Sequence, residues 1–249
     1  MRNDSLPHRP QYRLQTAIIL ICLTTARATD LPPLDFVVST TNSAPLQLST
    51  DGAAGNGIVG EISAEIARRL GRQARFVVTS RKRIEDDLRA GRADAICYAT
   101  PQWVNAPLTW TAPFIPNAEV ILMRRDAPTL ASLGELRGKT VGTVLGYAYP
   151  QLTASLGDSY VRDDAPTMQV NVRKLLAGRT QYAIVDSLSL AYEARTTPEL
   201  RSLPTLPTSQ FKAQCGFSPR LAISAEQINR AVSGLERDGT LAQILARYR

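Results

Sequence analysis

Side chains able to do nucleophilic or metal chemistry are scarce in this 249-residue chain: one histidine, His8, and three cysteines, Cys22, Cys97 and Cys215. His8 falls in a leader. Arg2, Arg9 and Arg13 precede the apolar run TAIILICL, Thr16 to Leu23, and TTARA then offers the small residues Ala26 and Ala28. That order predicts a secretory signal peptide over residues 1–28, cleaved after Ala28. The apolar run is far shorter than the ~20 residues of a spanning helix. Cys22 follows Ile21 where a bacterial lipoprotein signal has a small residue, so a soluble, exported protein is expected. Its mature form has no histidine. Ser-His-Asp and Cys-His activation then lack their base, and zinc or iron sites lose their commonest ligand. We expect no metal, no cofactor and no enzyme.

What remains for chemistry is a cysteine pair, carboxylates and aromatic rings. An oxidising compartment can join an even pair such as Cys97 and Cys215. Cys97 lies in the apolar run DAICYA, however, where a buried thiol behaves as a small hydrophobe, and free thiols are the expectation. Charge adds little. The chain holds 29 basic and 22 acidic residues; without Arg2, Arg9, Arg13, Arg27 and Asp4 these become 25 and 21, a net of +4. The densest basic cluster, Arg81-Lys82-Arg83, lacks stacking aromatics and precedes Glu85, Asp86 and Asp87. It reads as a solvated helix start, with no nucleic-acid partner.

The elements that must position such residues alternate. LDFVVST is a short β-branched run, and EISAEIARRLG places Ile62, Ile66 and Leu70 on one helical face. ARFVVTS is a second strand. IEDDLRAGRADAICYATP gives a helix ended by Gly91 and a buried strand closed by Thr100-Pro101, and VNVRKLLAGRTQYAIVDS repeats the idea about Gly178. Strands separated by helices argue for parallel α/β sheets. Two apolar, β-forming runs, AEVILMRR and FKAQCGFSPRLAI, connect the halves, and a closing helix pair is hinged at Gly239. A two-lobed body joined by two strands is expected.

In open α/β sheets ligands bind beyond the C-terminal ends of the strands, and pockets favour the space between lobes. The rule selects Thr41 and Asn42, Tyr98 through Gln102 with Thr100, Gly146 through Tyr149, and Asp186 with Ser187. No close pair of carboxylates appears at a predicted strand end.

GIVGEISAEIARRLG, DLRAGRADAICYATP, WTAPF, LGELRGKTVGTVLG, LLAGRTQYAIVD and LERDGTLAQILARY, in that order, resemble the family 3 extracellular solute-binding proteins of the polar amino-acid-binding type, from about Leu34 to Arg249. The resemblance implies a type II periplasmic binding fold in the periplasm: lobe one from 29–118 and 211–249, lobe two from 119–210, with one ligand in the cleft. Asp186 matches the carboxylate that receives a ligand's ammonium through charge-assisted hydrogen bonds; it is equally placed to cap the helix SLSLAYEA. Gly146 and Tyr147 match a turn whose backbone N–H groups take a ligand carboxylate. Leu46 stands where many members present an aromatic ring. The family's Thr-x-x-Arg clamp is missing from TPQWVNAPLTW, and Trp103 occupies roughly the vacated place. Trp103 is expected in the cleft and Trp110 in the core.

The function expected is therefore capture of an amino acid-like, aromatic or neutral solute by a monomer whose hinge closes, for delivery to an ABC permease or a sensor. Two alternatives stand beside it. One is a hydro-lyase of the cyclohexadienyl dehydratase type on the same fold; the other is a sensory module that transports nothing.

Overall fold

In a computed structural model the described residues are Met1, 31–48 and 55–248; apart from Met1, the expected leader lies outside them. The described chain runs through β1 (Leu34–Ser39), α1 (Ile58–Arg69), β2 (Ala74–Thr79), α2 (Ile84–Ala90), β3 (Ala95–Ala99), β4 (Thr109–Trp110), β5 (Ile115–Met123), β6 (Thr140–Val144), α3 (Pro150–Leu156), β7 (Val161–Ala165), α4 (Met168–Leu176), β8 (Tyr182–Asp186), α5 (Ser187–Glu193), β9 (Thr205–Phe217), α6 (Ala225–Arg237) and α7 (Thr240–Ala246). The strands follow the order β2-β1-β3-β9-β5-β8-β6-β7, with β4 on β9.

Pairing type divides the sheet. β1 is parallel to β2 and β3, and β6 is parallel to β7 and β8. Between these parallel portions run two antiparallel connectors, the 9-residue β5 and the 13-residue β9. The last residues of β9 pair with β3, while Thr205 to Ala213 pair with β5, so β9 serves both portions. Both apolar connecting runs contribute strand, AEVILM to β5 and FKAQCGF to β9, while SPRLAI lies beyond the end of β9.

Each portion buries both faces, as parallel sheets do. Leu34, Phe36 and Val38 of β1 meet Ile62 and Ile66 of α1 and Ile228 and Val232 of α6, while Val37 and Ile96 face Ile84 and Leu88 of α2. The period of two along the strand separates these cores. In the other portion Ile121, Val141 and Ile184 pack with Leu152 and Leu156 of α3, and Val144, Ala183 and Val185 with Val172 and Leu175 of α4. Gly239, at φ 78°, lets α6 turn into α7 at the expected hinge.

One expectation is corrected. Cys97 and Cys215 are joined in a disulfide. Antiparallel pairing of β3 with β9 sets the two residues opposite one another, a proximity that their 118-residue separation conceals. The apolar surroundings of Cys97 are real, since it is 5% exposed; burial and bridging coexist here.

Candidate functional site

The strand ends converge on one cleft. β5 and β8 are neighbours whose register puts Glu119 opposite Asp186, so both side chains leave the same face of the sheet. Ser209 of β9, opposite Glu119 on the other side, donates its hydroxyl to Glu119 Oε2 at 3.1 Å. Asp186 Oδ1 accepts from the Ser189 N–H and from Asn117 Nδ2, each at 2.9 Å. Asp186 thus caps α5 and also lines the cleft beside Glu119, so the cap does not take it away from the cleft. Glu119 Oε1 and Asp186 Oδ2 make no hydrogen bond among the described residues and are not sealed from the cleft.

Register thus sets a second carboxylate, Glu119 in the middle of β5, opposite the one that ends β8, a pairing that looking at strand ends alone does not reveal. Burial raises the Glu119 carboxyl to about 7; the Ser209 hydrogen bond opposes this and the charge of Asp186 adds to it. An acid whose folded pKa lies above its unfolded value favours the unfolded chain once that chain can ionise, so stability falls as pH rises from about 4.5 to about 7 and is lowest above it. Glu119→Gln is expected to raise stability by less than about 1 kcal/mol at pH 5 and by up to about 3 kcal/mol at pH 8, both reduced by the half-buried setting. Urea unfolding at the two pH values checks this, and an equal change at both would contradict it.

Asn117 ties the acids to the aromatic wall. Besides Asp186, its Nδ2 donates to the Tyr98 hydroxyl, while its Oδ1 accepts from the Leu188 N–H at 3.2 Å. Tyr98 is reached through a register shift of β3 on β9 and takes φ 60°, a left-handed conformation that a bulky side chain rarely adopts. Such irregularities re-aim a side chain at a site, and Tyr98 lines the cleft. Burial raises its phenol well above the ordinary value.

Tyr147, from the turn after β6 on the side of the acids, donates its hydroxyl to Asn42 Oδ1 at 3.2 Å. Arg81, in the turn after β2, sets its guanidinium carbon 5.3 Å from the Tyr147 ring centre, a cation–π distance, and makes no ion pair among the described residues. Gly146, at φ 75°, leaves room for this approach: a Cβ there would stand 3.2 Å from Arg81 Cγ. Trp103 meets Phe211 edge-on at 5.1 Å, and Leu46, Ala148 and Met168 complete the lining. The enclosed volume is about 40 Å³, far below the ~300–1,000 Å³ of a site that holds a small ligand. As it stands the cleft has no room for a solute of that size.

Of the expected site residues, Asn42, Leu46, Tyr98, Trp103, Tyr147 and Asp186 line this cleft. Thr100 lies outside its lining, 8% exposed, with no partner for its hydroxyl among the described residues. Gly146 acts through Arg81, and the Tyr147 N–H is donated to the Val144 carbonyl at 3.1 Å. Arg81, Asn117, Glu119, Met168 and Phe211 were missed. Signals for three of them exist. Asn117 and Glu119 are polar at i and i+2 in an apolar strand, and Arg81 is where the strand-end rule points after β2. The basic cluster it belongs to is therefore not all solvated surface.

Comparison with known proteins follows the same lines. The profile described as bacterial extracellular solute-binding proteins, family 3, matches residues 36–249, and no curated protein is significantly similar in sequence. Among solved structures, the GluR0 ligand-binding core in complex with L-glutamate superposes with a TM-score of 0.72 at 18% identity, covering 88% of this chain and 99% of that one. An ancestral amino acid-binding protein, a precursor of cyclohexadienyl dehydratase, gives 0.71 at 16% identity over 87% and 95%. A histidine kinase sensor domain similar to periplasmic binding proteins gives 0.69 at 20% over 87% and 95%. These likenesses show the type II periplasmic binding fold.

Proposed function

We propose, from the premise that this chain belongs to the bacterial extracellular solute-binding proteins of family 3, that its cleft captures a small amino acid-like solute in the periplasm by hinge closure. Lobe one would be 29–118 with 211–249, and lobe two 119–210. The change of pairing at β5 and β9 supports that division. No helix among the described residues is long and apolar enough to cross a membrane.

The observation that carries the ligand class is the charge in the cleft: Asp186 and Glu119 on one wall, Arg81 on the other. A neutral, aromatic solute would desolvate Asp186 Oδ2, Glu119 Oε1 and the Arg81 guanidinium without offering any of them a charged partner, which is unfavourable. A zwitterion matches them. Its ammonium faces Asp186, and its carboxylate meets Arg81, which approaches from after β2 and so replaces the missing Thr-x-x-Arg clamp. Closure follows because the ligand binds both walls only when they are together. A membrane permease or a sensor would then read the closed form; the likeness to a kinase sensor domain keeps both open.

A thermal-shift screen of the mature protein against amino acids, amines, carboxylates and neutral solutes tests this. Stabilisation by an amino acid is expected, about 2.7 kcal/mol at 100 times its Kd; a response to neutral solutes alone would refute it. Arg81→Ala should weaken that amino acid at least ~10-fold, since each hydrogen bond to a charged group is worth ~1.5–3 kcal/mol. Calorimetric titration reads this, and unchanged affinity would remove Arg81 from the site.

A second reading is favoured by the acid pair itself: a protonated Glu119 beside Asp186 suits proton transfer, as a hydro-lyase would need. Consumption of a cyclic carboxylate substrate by the protein, with no amino acid binding, would select it.

A further inference from the structure

Resting on the binding reading above, we infer that Glu119 and Asp186 together pinch one primary ammonium of the solute, and that seating this cation expels a proton from the pair. The geometry is set by register. Glu119 and Asp186 are directly opposed on β5 and β8, and directly opposed side chains stand ~4.5–5.5 Å apart at Cβ. Glu119 keeps Oε1 and Asp186 keeps Oδ2 without a hydrogen bond among the described residues. An ammonium carries three donors and no acceptor, so one such group can serve both oxygens at once.

Two like charges this close, in a half-buried site, are not both ionised at no penalty. The groups facing Glu119 are few. Asp186 comes from β8, Ser209 from β9 and Arg81 from the turn after β2, while Tyr98, Tyr147 and Tyr149 come from the ends of β3 and β6. Arg81 points its charge at the Tyr147 ring, and burial keeps the three phenols protonated well above neutrality. Near pH 7 Glu119 is therefore the group that changes state. A cation between the two carboxylates favours the ionised form of both, so the proton that Glu119 holds in the unliganded cleft must leave. Binding and proton release are then reciprocal: affinity rises with pH up to about 7 and levels above it.

The ammonium can be supplied by an amino acid or by a simple amine. Calorimetric titrations would use the L-amino acids, the amines they give on decarboxylation and the acids they give on deamination, at pH 5.5, 6.5 and 7.5. Cacodylate and bis-Tris buffers, which differ in heat of ionisation and carry no primary amine, report the proton count. The expected result is binding by one or more amino acids or amines, never by the deaminated acid alone. Its Kd should fall by up to ~10-fold per pH unit below about 7, with proton release. Binding by the amino acid but not its amine would make Arg81 an obligatory partner; binding by both would make the ammonium sufficient. Glu119→Gln should abolish the pH slope and the proton release, and its circular dichroism and melting curve verify that it folds. A pH-independent Kd in the unaltered protein, or a slope that persists in Glu119→Gln, overturns the inference while leaving solute binding intact. If no amino acid or amine binds, both fall.

Discussion

Reducing the Cys97–Cys215 bridge, or replacing both residues by serine, is expected to lower stability by about 2–5 kcal/mol and the melting temperature by roughly 5–15 °C. The bridge joins residues 118 apart in sequence, and loop-closure entropy in the unfolded chain grows with that separation. Its position makes the effect specific. β3 carries Tyr98 into the cleft immediately after Cys97, and β9 carries Ser209 and Phe211 a few residues before Cys215. Losing the bridge frees the register that aims both walls. Denaturant unfolding with and without reductant measures the change, and a shift below about 1 kcal/mol would show that the strand pairing holds without it. Single serine variants distinguish the bridge from thiol packing, since each leaves one buried Cys in place.

The second large effect concerns Asp186. Asp186→Asn should reduce affinity for an ammonium-bearing solute by about 100-fold while changing stability little. Asn is as good an N-cap as Asp, and its Oδ1 can still accept from the Ser189 N–H and Asn117 Nδ2. Its amide NH2, however, replaces Oδ2 with a donor facing a cation, so a charge-assisted bond gives way to donor–donor repulsion. Asp186→Ala removes the cap as well and should lose about 1 kcal/mol of stability in addition. If Asp186→Asn bound such solutes with unaltered Kd, Asp186 would be a helix cap alone.

Legibility in the sequence divides along physical lines. The alternation of strands and helices is written in local periodicity, and β1, α1, β2, α2, β3, α4 and β8 appear close to where DFVVS, EISAEIARR, RFVVT, IEDDLRA, AICYA, NVRKLL and YAIVD placed them. Family order among six motifs conveyed the fold. Asp186 was legible because a strand-end carboxylate before an apolar helix obeys a local rule.

What the sequence alone could not determine depends on register between distant strands. Glu119 and Asp186 are 67 positions apart, and only the β5–β8 pairing makes them neighbours; the cysteines, 118 apart, meet only through β3 and β9. Arg81 looked like solvated charge because its neighbours Lys82 and Arg83 are so, yet it lies over the Tyr147 ring. The chain itself established the elements and the scarcity of nucleophilic and metal-binding side chains, since periodicity and composition are local properties that need no folded partner. The charges, the bridge and the shape of the cleft were decided by tertiary structure, because non-local pairing sets which carboxylates share a face and which cation can reach them.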